Sequence, residues 1–337
     1  MRRYGWLRWL PLALSALVAT ACEVMAPGDA GNLVPLTVAE DPNLPAIDMN
    51  GSRFHVQTFG NPASPVIIVL HGGPGGDSRG MMRLAGRYNG YSLSDEYFLV
   101  FWDQRGTGLS RRHNRGEVSI DIYTADLDSL IERYSPGRQV WLVGQSWGGM
   151  YATRYLNEIP TKVAGAVLIE PGPLTGATME RLKDDINPIE IGSERINDVV
   201  WHSQFFSADD HAQMDYERAI GSRDAQPKYH VSTVDPPQNW RMGAAVNRWL
   251  MEEAQDSKGR FNYDFTTNLS AFTGPVLFIA GELSEVLGPS LQQTQFNLFS
   301  QGVLIVEPDV GHELQWERPA QTVRHIQLFL TAFGANQ

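Results

Sequence analysis

The segment Gln139-Val140-Trp141-Leu142-Val143-Gly144-Gln145-Ser146-Trp147-Gly148-Gly149-Met150-Tyr151 joins an apolar run to a Gly-x-Ser-x-Gly turn and then to residues that continue as a helix. The run reads as a buried strand. A serine at a sharp strand-to-helix bend sits in a sparsely allowed backbone region, and small residues two positions to either side let the turn close. The bend pushes its hydroxyl out above the sheet, which makes Ser146 a candidate nucleophile. An ordinary glycine-flanked turn would also contain these five residues, so the choice between the two readings rests on the surroundings.

Upstream, Pro65-Val66-Ile67-Ile68-Val69-Leu70 suits a buried parallel strand and ends in His71-Gly72-Gly73-Pro74-Gly75-Gly76. Acyl transfer needs backbone N–H donors aimed at a developing oxyanion, and a glycine-rich loop after a strand lets the main chain come that close. The amides of Gly73 and Trp147 are therefore the expected oxyanion hole. Downstream, Gly302-Val303-Leu304-Ile305-Val306 predicts another buried strand, followed by Val310-Gly311-His312 and a helix from about Glu317. His312, on a loop just past a strand end, stands where a general base belongs.

Taken together, these motifs resemble those of α/β-hydrolases of the proline iminopeptidase-like branch. The residues that carry the likeness are His71-Gly72-Gly73-Pro74-Gly75, Asp103-Gln104-Arg105-Gly106-Thr107-Gly108, Gly144-Gln145-Ser146-Trp147-Gly148-Gly149 and Gly311-His312. The likeness covers nearly the whole chain after about residue 45. It implies a mostly parallel sheet flanked by helices, with a mainly helical cap insertion. It also implies a serine hydrolase whose nucleophile, acid and base follow one another along the chain. No metal or organic cofactor is implied.

With 337 residues, 42% of them hydrophobic, the chain can bury a large core. Its formal charge is −11, and without residues 1–21 three arginines leave and no acids, so 24 − 38 gives −14. A nucleic-acid partner is disfavoured on that balance. At the amino terminus Arg2, Arg3 and Arg8 precede an apolar stretch from Trp9 to Val18, too short to span a bilayer comfortably, and then Ala19-Thr20-Ala21-Cys22. This resembles a bacterial lipoprotein signal peptide. Cys22 is the single cysteine, so an internal disulfide is excluded and its thiol is the expected lipid-attachment point. The resemblance implies an exported protein anchored to the membrane through that lipid, on the periplasmic face or at the outer membrane, with residues 22–44 as tether. An ordinary secretory peptide is the plainer alternative.

Arg53–Thr58, Tyr97–Trp102, Ala164–Glu170 and Pro275–Gly281 complete the expected strands. Tyr123, Leu127, Leu130, Ile131 and Tyr134 recur at helical spacing, as do Val323, Ile326, Leu330 and Phe333. Strands alternating with helices place a ligand crevice at the strand carboxyl ends. The core is expected over residues 45–171 and 273–337. Residues 172–272 are read as a helical cap, with helices near Met179–Ile189, Ala208–Gly221 and Trp240–Ala254; a stabilising insertion is the plainer reading of the same segment.

The triad acid is open at this stage. In the family it follows the next core strand as Gly-x-x-Asp, but Gly281-Glu282-Leu283-Ser284 has serine there. A hydroxyl cannot supply the charge that fixes and stabilises the imidazole. Glu285 is favoured narrowly over Glu170, which ends the sixth core strand, with Glu282 third. His71 is read as a brace for the oxyanion loop, and Asp103 with Arg105 as a structural ion pair or loop clamp. His55, His113, His202, His211, His230 and His325 show no metal-ligand spacing. Two substrate classes follow, short peptides with a small amino-terminal residue such as proline, and small esters; a non-catalytic surface binding protein is the alternative of another kind. The family's aminopeptidases hold the substrate amine with acidic cap residues, for which Glu180, Asp184, Asp185, Glu190, Glu252 and Glu253 are candidates.

Overall fold

A computed structural model of the chain describes residues 35–186, 211 and 240–334. The expected signal peptide, Cys22 and the first part of the tether lie outside the described residues, as do His202, Glu190, His230 and, apart from position 211, the expected helix over Ala208–Gly221.

The apolar runs pair as strands, and the central five can bury both faces, whereas the run Gly302–Val306, expected to be buried, lies at the edge of the sheet with Val303 and Val306 exposed. In chain order the strands are β1 (Ala46–Met49), β2 (Ser52–Phe59), β3 (Val66–Leu70), β4 (Phe98–Trp102), β5 (Val140–Gln145), β6 (Val163–Ile169), β7 (Val276–Gly281) and β8 (Gly302–Glu307). They form one sheet in the order β1-β2-β4-β3-β5-β6-β7-β8, antiparallel at β1–β2 and β2–β4 and parallel from β4 through β8. Every residue of β3, β4, β5, β6 and β7 is buried, as a parallel sheet covered on both sides requires. The short β1 went unforeseen. It joins β2 through Asn50 (φ 43°) and Gly51 (φ 71°), an Asn-Gly pair suited to a tight hairpin.

The helices are α1 (Ile120–Tyr134), α2 (Trp147–Glu158), α3 (Gly176–Ile186), α4 (Ala244–Glu253), α5 (Pro289–Phe296), α6 (Leu314–Glu317) and α7 (Pro319–Phe333). Successive strand residues point to opposite faces. Ile68, Leu70, Val100 and Leu142 therefore join one core with Tyr123, Leu127, Leu130 and Ile131 of α1 and Tyr151 and Tyr155 of α2. Ile67, Val69, Phe101 and Val143 join the other with Val323, Ile326 and Leu330 of α7. The start of α1 is fixed by the Ser119 side chain, which accepts from the Ile122 N–H. Between β6 and β7 the described residues contain α3 and α4, within or close to the spans expected for cap helices. No helix among the described residues is long and apolar enough to cross a membrane.

The winding direction reverses at β3, which lies between β4 and β5. The loops leaving β3 and β5 at their carboxyl ends therefore diverge and open a crevice, and those loops begin with His71 and Ser146.

Candidate active site

Ser146 lies between the end of β5 and the start of α2 with φ 54° and ψ −118°, a strained conformation for a residue with a side chain. Its neighbours show what holds it there. A Cβ on Gly144 would lie 2.3 Å from the Gly148 carbonyl oxygen, and one on Gly148 would lie 2.0 Å from that of Leu70. Both positions need glycine for the turn to close. The Ser146 N–H donates to the Ile169 carbonyl at 3.0 Å, and the Ser146 carbonyl accepts from Gly149, Met150 and Gly172 at 3.0, 3.2 and 3.3 Å. The elbow is thus bonded to the end of β6 as well as to its own helix.

The loop after β6 begins with Glu170, itself at φ 40° and fully buried. One carboxylate oxygen accepts the Gly281 N–H at 2.6 Å, and the other lies 2.7 Å from His312 Nδ1. His312 is also buried, on the loop between β8 and α6. A Cβ on Gly281 would lie 2.4 Å from the carbonyl oxygens of both Val310 and Gly311, so the missing side chain lets the histidine loop close over the end of β7. Gln145, next to the elbow, donates from its side chain to the His312 carbonyl at 3.4 Å. Burial pulls the His312 pKa down, but the hydrogen bond and charge of Glu170, with a contribution from Glu313, more than offset it and hold the pKa above its ordinary value of 6.5.

On the other side of the crevice, a Cβ on Gly72 would lie 3.2 Å from Ser146 Cβ, so the glycine loop presses directly on the elbow. Gly73 has φ 128°, which favours glycine. The N–H groups of Gly73 and Trp147 donate to no protein acceptor among the described residues. His71 donates from Nδ1 to the Gly72 carbonyl at 2.9 Å and accepts the Gln104 N–H at Nε2 at 3.0 Å. Those two roles define a neutral ring, and burial depresses its pKa. Gln104 completes the chain, donating from its side chain to the His71 carbonyl at 3.0 Å and accepting the Trp147 indole N–H at 3.0 Å.

A family model described as alpha/beta hydrolase fold matches residues 65–319. The chain belongs to this family. Among its relatives, a proline iminopeptidase of Xylella fastidiosa is 32% identical over 139 residues, 40% of this chain and 41% of that protein. That match spans less than half of the relative. Proline iminopeptidase PfmaB of Pestalotiopsis fici is 24% identical over 295 residues, 84% of this chain and 98% of that protein. Among solved structures, the proline iminopeptidase of Mycobacterium smegmatis has a TM-score of 0.59 at 18% identity, covering 86% of this chain and 97% of its own. A thermophilic esterase of Thermogutta terrifontis has a TM-score of 0.56 at 20% identity, with 86% and 97% covered. These two structural likenesses concern the fold.

In this α/β hydrolase the structure corrects the carboxylate favoured from sequence. Glu285 is exposed on the turn after β7 and Glu282 is exposed beside it, where it accepts the Asp309 N–H at 3.2 Å; the carboxylate bonded to His312 is Glu170. Glu170, at positive φ, bonds the last N–H of β7, whereas the side chains of Glu282 and Glu285 beyond Gly281 are exposed. Ser284 is buried, with no partner for its hydroxyl among the described residues.

The expected Asp103–Arg105 pair is also corrected. Arg105 binds Asp126 through two bonds of 2.7 Å, while Asp103 faces His55 Nδ1 at 2.9 Å and accepts the N–H groups of Ser78 and Leu109 at 2.8 Å each. Both are structural clamps, but with different partners. Sequence reasoning gave no role to Gln104 or to Asp77. Asp77 is buried and accepts from the N–H groups of Arg79, Trp240 and Arg241. Burial and the nearby Asp103 charge push its pKa up to about 8, while for Asp103 itself burial is outweighed, chiefly by the hydrogen bond and electrostatic attraction of His55, so that its pKa is held low. Among the described residues no group of three His, Cys, Asp or Glu side chains could hold a metal ion.

Proposed function

We propose that this α/β hydrolase is a serine hydrolase working through an acyl-enzyme. His312 takes the Ser146 proton, the serine oxygen attacks an ester or amide carbonyl, and the Gly73 and Trp147 amides receive the oxyanion. Water then releases the acid with His312 again as base. Glu170 fixes the imidazole tautomer, since its oxygen accepts from Nδ1 and leaves Nε2 as the nitrogen that takes the serine proton. The observation that carries this reading is the buried 2.7 Å contact between His312 and Glu170, set beside a serine held in a strained elbow.

On substrate, we favour aminopeptidase action of the proline iminopeptidase type on short peptides, supported by the motif set and the named relatives. Ester hydrolysis is the second reading, and a specific observation favours it. Three of the cap acids suggested for an amine site are engaged elsewhere: Glu180 with the Phe261 N–H and Lys183, Glu252 with Arg248 and Arg115, and Glu253 with the Ile120 N–H. The side chains of Asp184, Asp185 and Glu190 lie outside the described residues. Turnover of a prolyl anilide against a short-chain nitrophenyl ester separates the two; brisk ester cleavage with no prolyl release rejects the peptidase. Labelling of Ser146 by a fluorophosphonate rejects the non-catalytic binding protein, and absence of labelling rejects the hydrolase. Export and membrane attachment through a lipid on Cys22 belong to the same proposal; mass spectrometry of the detergent-extracted amino-terminal peptide tests them, an unmodified cysteine counting against the anchor.

A further inference from the structure

The loop Gly72–Asp77 contributes an oxyanion donor yet has little of its own to hold it. Four of its six residues are glycine, and among the described residues the one backbone bond within it runs from the Gly76 N–H to the Gly72 carbonyl at 3.3 Å. A donor of this kind works only if its position is fixed to about half an ångström before the reaction begins. The restraint comes from the far side of the crevice, from the segment that leads into α4. The Asn247 side chain donates to the Pro74 carbonyl at 2.6 Å, the Gly243 N–H donates to the Gly75 carbonyl at 2.7 Å, and the Trp240 and Arg241 N–H groups converge on Asp77. The orientation of the Asn247 amide is forced, because a carbonyl oxygen can only accept and so must face the NH2 group.

This segment is itself well anchored. Val246 and Leu250 are buried in the core that also holds Tyr123 and Trp147, Glu253 accepts the Ile120 N–H at 3.0 Å, and Arg112 donates to the Met242 carbonyl at 3.1 Å. Asn247 is 8% exposed and sits in the first turn of α4, its N–H bonded to the Gly243 carbonyl at 2.9 Å. A Cβ placed on Gly75 would lie 3.2 Å from Asn247 Cβ and 2.6 Å from the Gly243 carbonyl, so the loop and the helix start are in direct contact.

We propose that Asn247 is a positioning residue for the oxyanion loop: by holding the Pro74 carbonyl it fixes the neighbouring Gly73 amide from the cap insertion. The inference rests on the acyl-transfer reading above. Its consequence is that losing this bond weakens the transition state more than the bound substrate, so the effect falls on kcat rather than on KM.

The test uses the full chain carrying Asn247→Ala or Asn247→Asp. The aspartate keeps the volume but presents only acceptors to the Pro74 carbonyl. Folding is checked by near-ultraviolet circular dichroism, and kcat and KM are measured with whichever ester or prolyl anilide the wild type turns over. Affinity is measured for a trifluoromethyl ketone, whose adduct with Ser146 bears an oxyanion, and for the product acid. We expect kcat to fall about 10–100-fold, less than the loss of a whole oxyanion donor, with KM within about twofold. Ketone affinity should fall in step and product affinity should hold. Unchanged kcat in either folded variant, a loss confined to KM, or failure of both variants to fold overturns the proposal. A wild type that fluorophosphonate cannot label defeats the acyl-transfer reading itself, whereas a labelled, active wild type with unaffected variants defeats only the role given to Asn247.

Discussion

Glu170 and His312 are 142 residues apart in the chain, and their side chains meet at 2.7 Å in a site from which both are shielded from solvent. The contact joins the loop after β6 to the loop after β8 across the end of β7, whose final N–H, from Gly281, takes the second carboxylate oxygen. A carboxylate with two such bonds is fixed in rotation, and it fixes the imidazole in turn.

Replacing Glu170 by glutamine should therefore lower kcat by about 10³–10⁴-fold, the scale on which a triad acid acts when its amide holds the wrong tautomer. Glu285→Gln and Glu282→Gln should stay within about twofold, since exposed side chains away from the site change little. Steady-state kinetics of the three variants on one substrate decide the matter. Equal losses at Glu170 and Glu285, or no loss at Glu170, would refute the assignment.

The carboxylate that contacts His312 was hard to read from sequence for a physical reason. The apolar runs that became β3 to β7 announce themselves because each is buried at every position, and the glycines of the elbow announce themselves because the turn cannot close otherwise. These are local signals. The choice among Glu170, Glu282 and Glu285 depends on which loop turns inward, and that is decided by a positive φ at residue 170 and by the absent Cβ of Gly281 beneath the 310–311 carbonyls. The φ of residue 170 is not announced by its identity, and the glycine at 281 shows its role only once the distant loop through residues 310–311 is placed against it. Asn247 and Asp77 were missed likewise, because their partners lie 173 and 163 positions away. β1 was missed because four residues including a polar Asp48 offer too short a pattern.

The same contact sets the pH profile. A base must be neutral to take a proton, and Glu170 holds the His312 pKa above 6.5, so kcat/KM should rise with pH through a limb lying above that value. In Glu170→Gln the charge that raises the pKa is gone and the downward pull of burial remains, so the residual activity should show its limb at lower pH than the wild type. A limb that stays in place, or moves upward, would mean that another group governs it.

Arg105 and Asp126 make a stability prediction. Both are buried and share two bonds of 2.7 Å, and Asn50 gives Asp126 one more at 2.7 Å. Arg105→Met would strand the carboxylate and should cost about 3–5 kcal/mol in urea unfolding, whereas adding Asp126→Asn should recover much of that loss. Burial already raises the Asp126 pKa, with Arg105 opposing it. Removing the arginine raises it further, and a raised acid destabilises the fold increasingly as pH climbs above its unfolded value. The single variant's deficit should thus shrink toward acid pH; a deficit that grows there would contradict the account.

Gln104 joins the two sides of the expected oxyanion hole, because its one side chain binds the carbonyl of His71, which begins the glycine loop, and the indole of Trp147, which follows the nucleophile. It is fully buried, so neither partner can turn to water when it is removed. Gln104→Leu should then cost about 1–3 kcal/mol for each group left unpaired. Because the two amides proposed to receive the oxyanion lose their common brace, kcat should also fall, by about tenfold if each donor weakens slightly. Gln104→Glu separates the two effects: it still accepts from the indole, but it sets a carboxyl group against the His71 carbonyl, so only the glycine loop should be disturbed. Thermal unfolding alongside kcat for both variants tests this arrangement. A Gln104→Leu protein as active and as stable as wild type would show that the two amides keep their spacing without it.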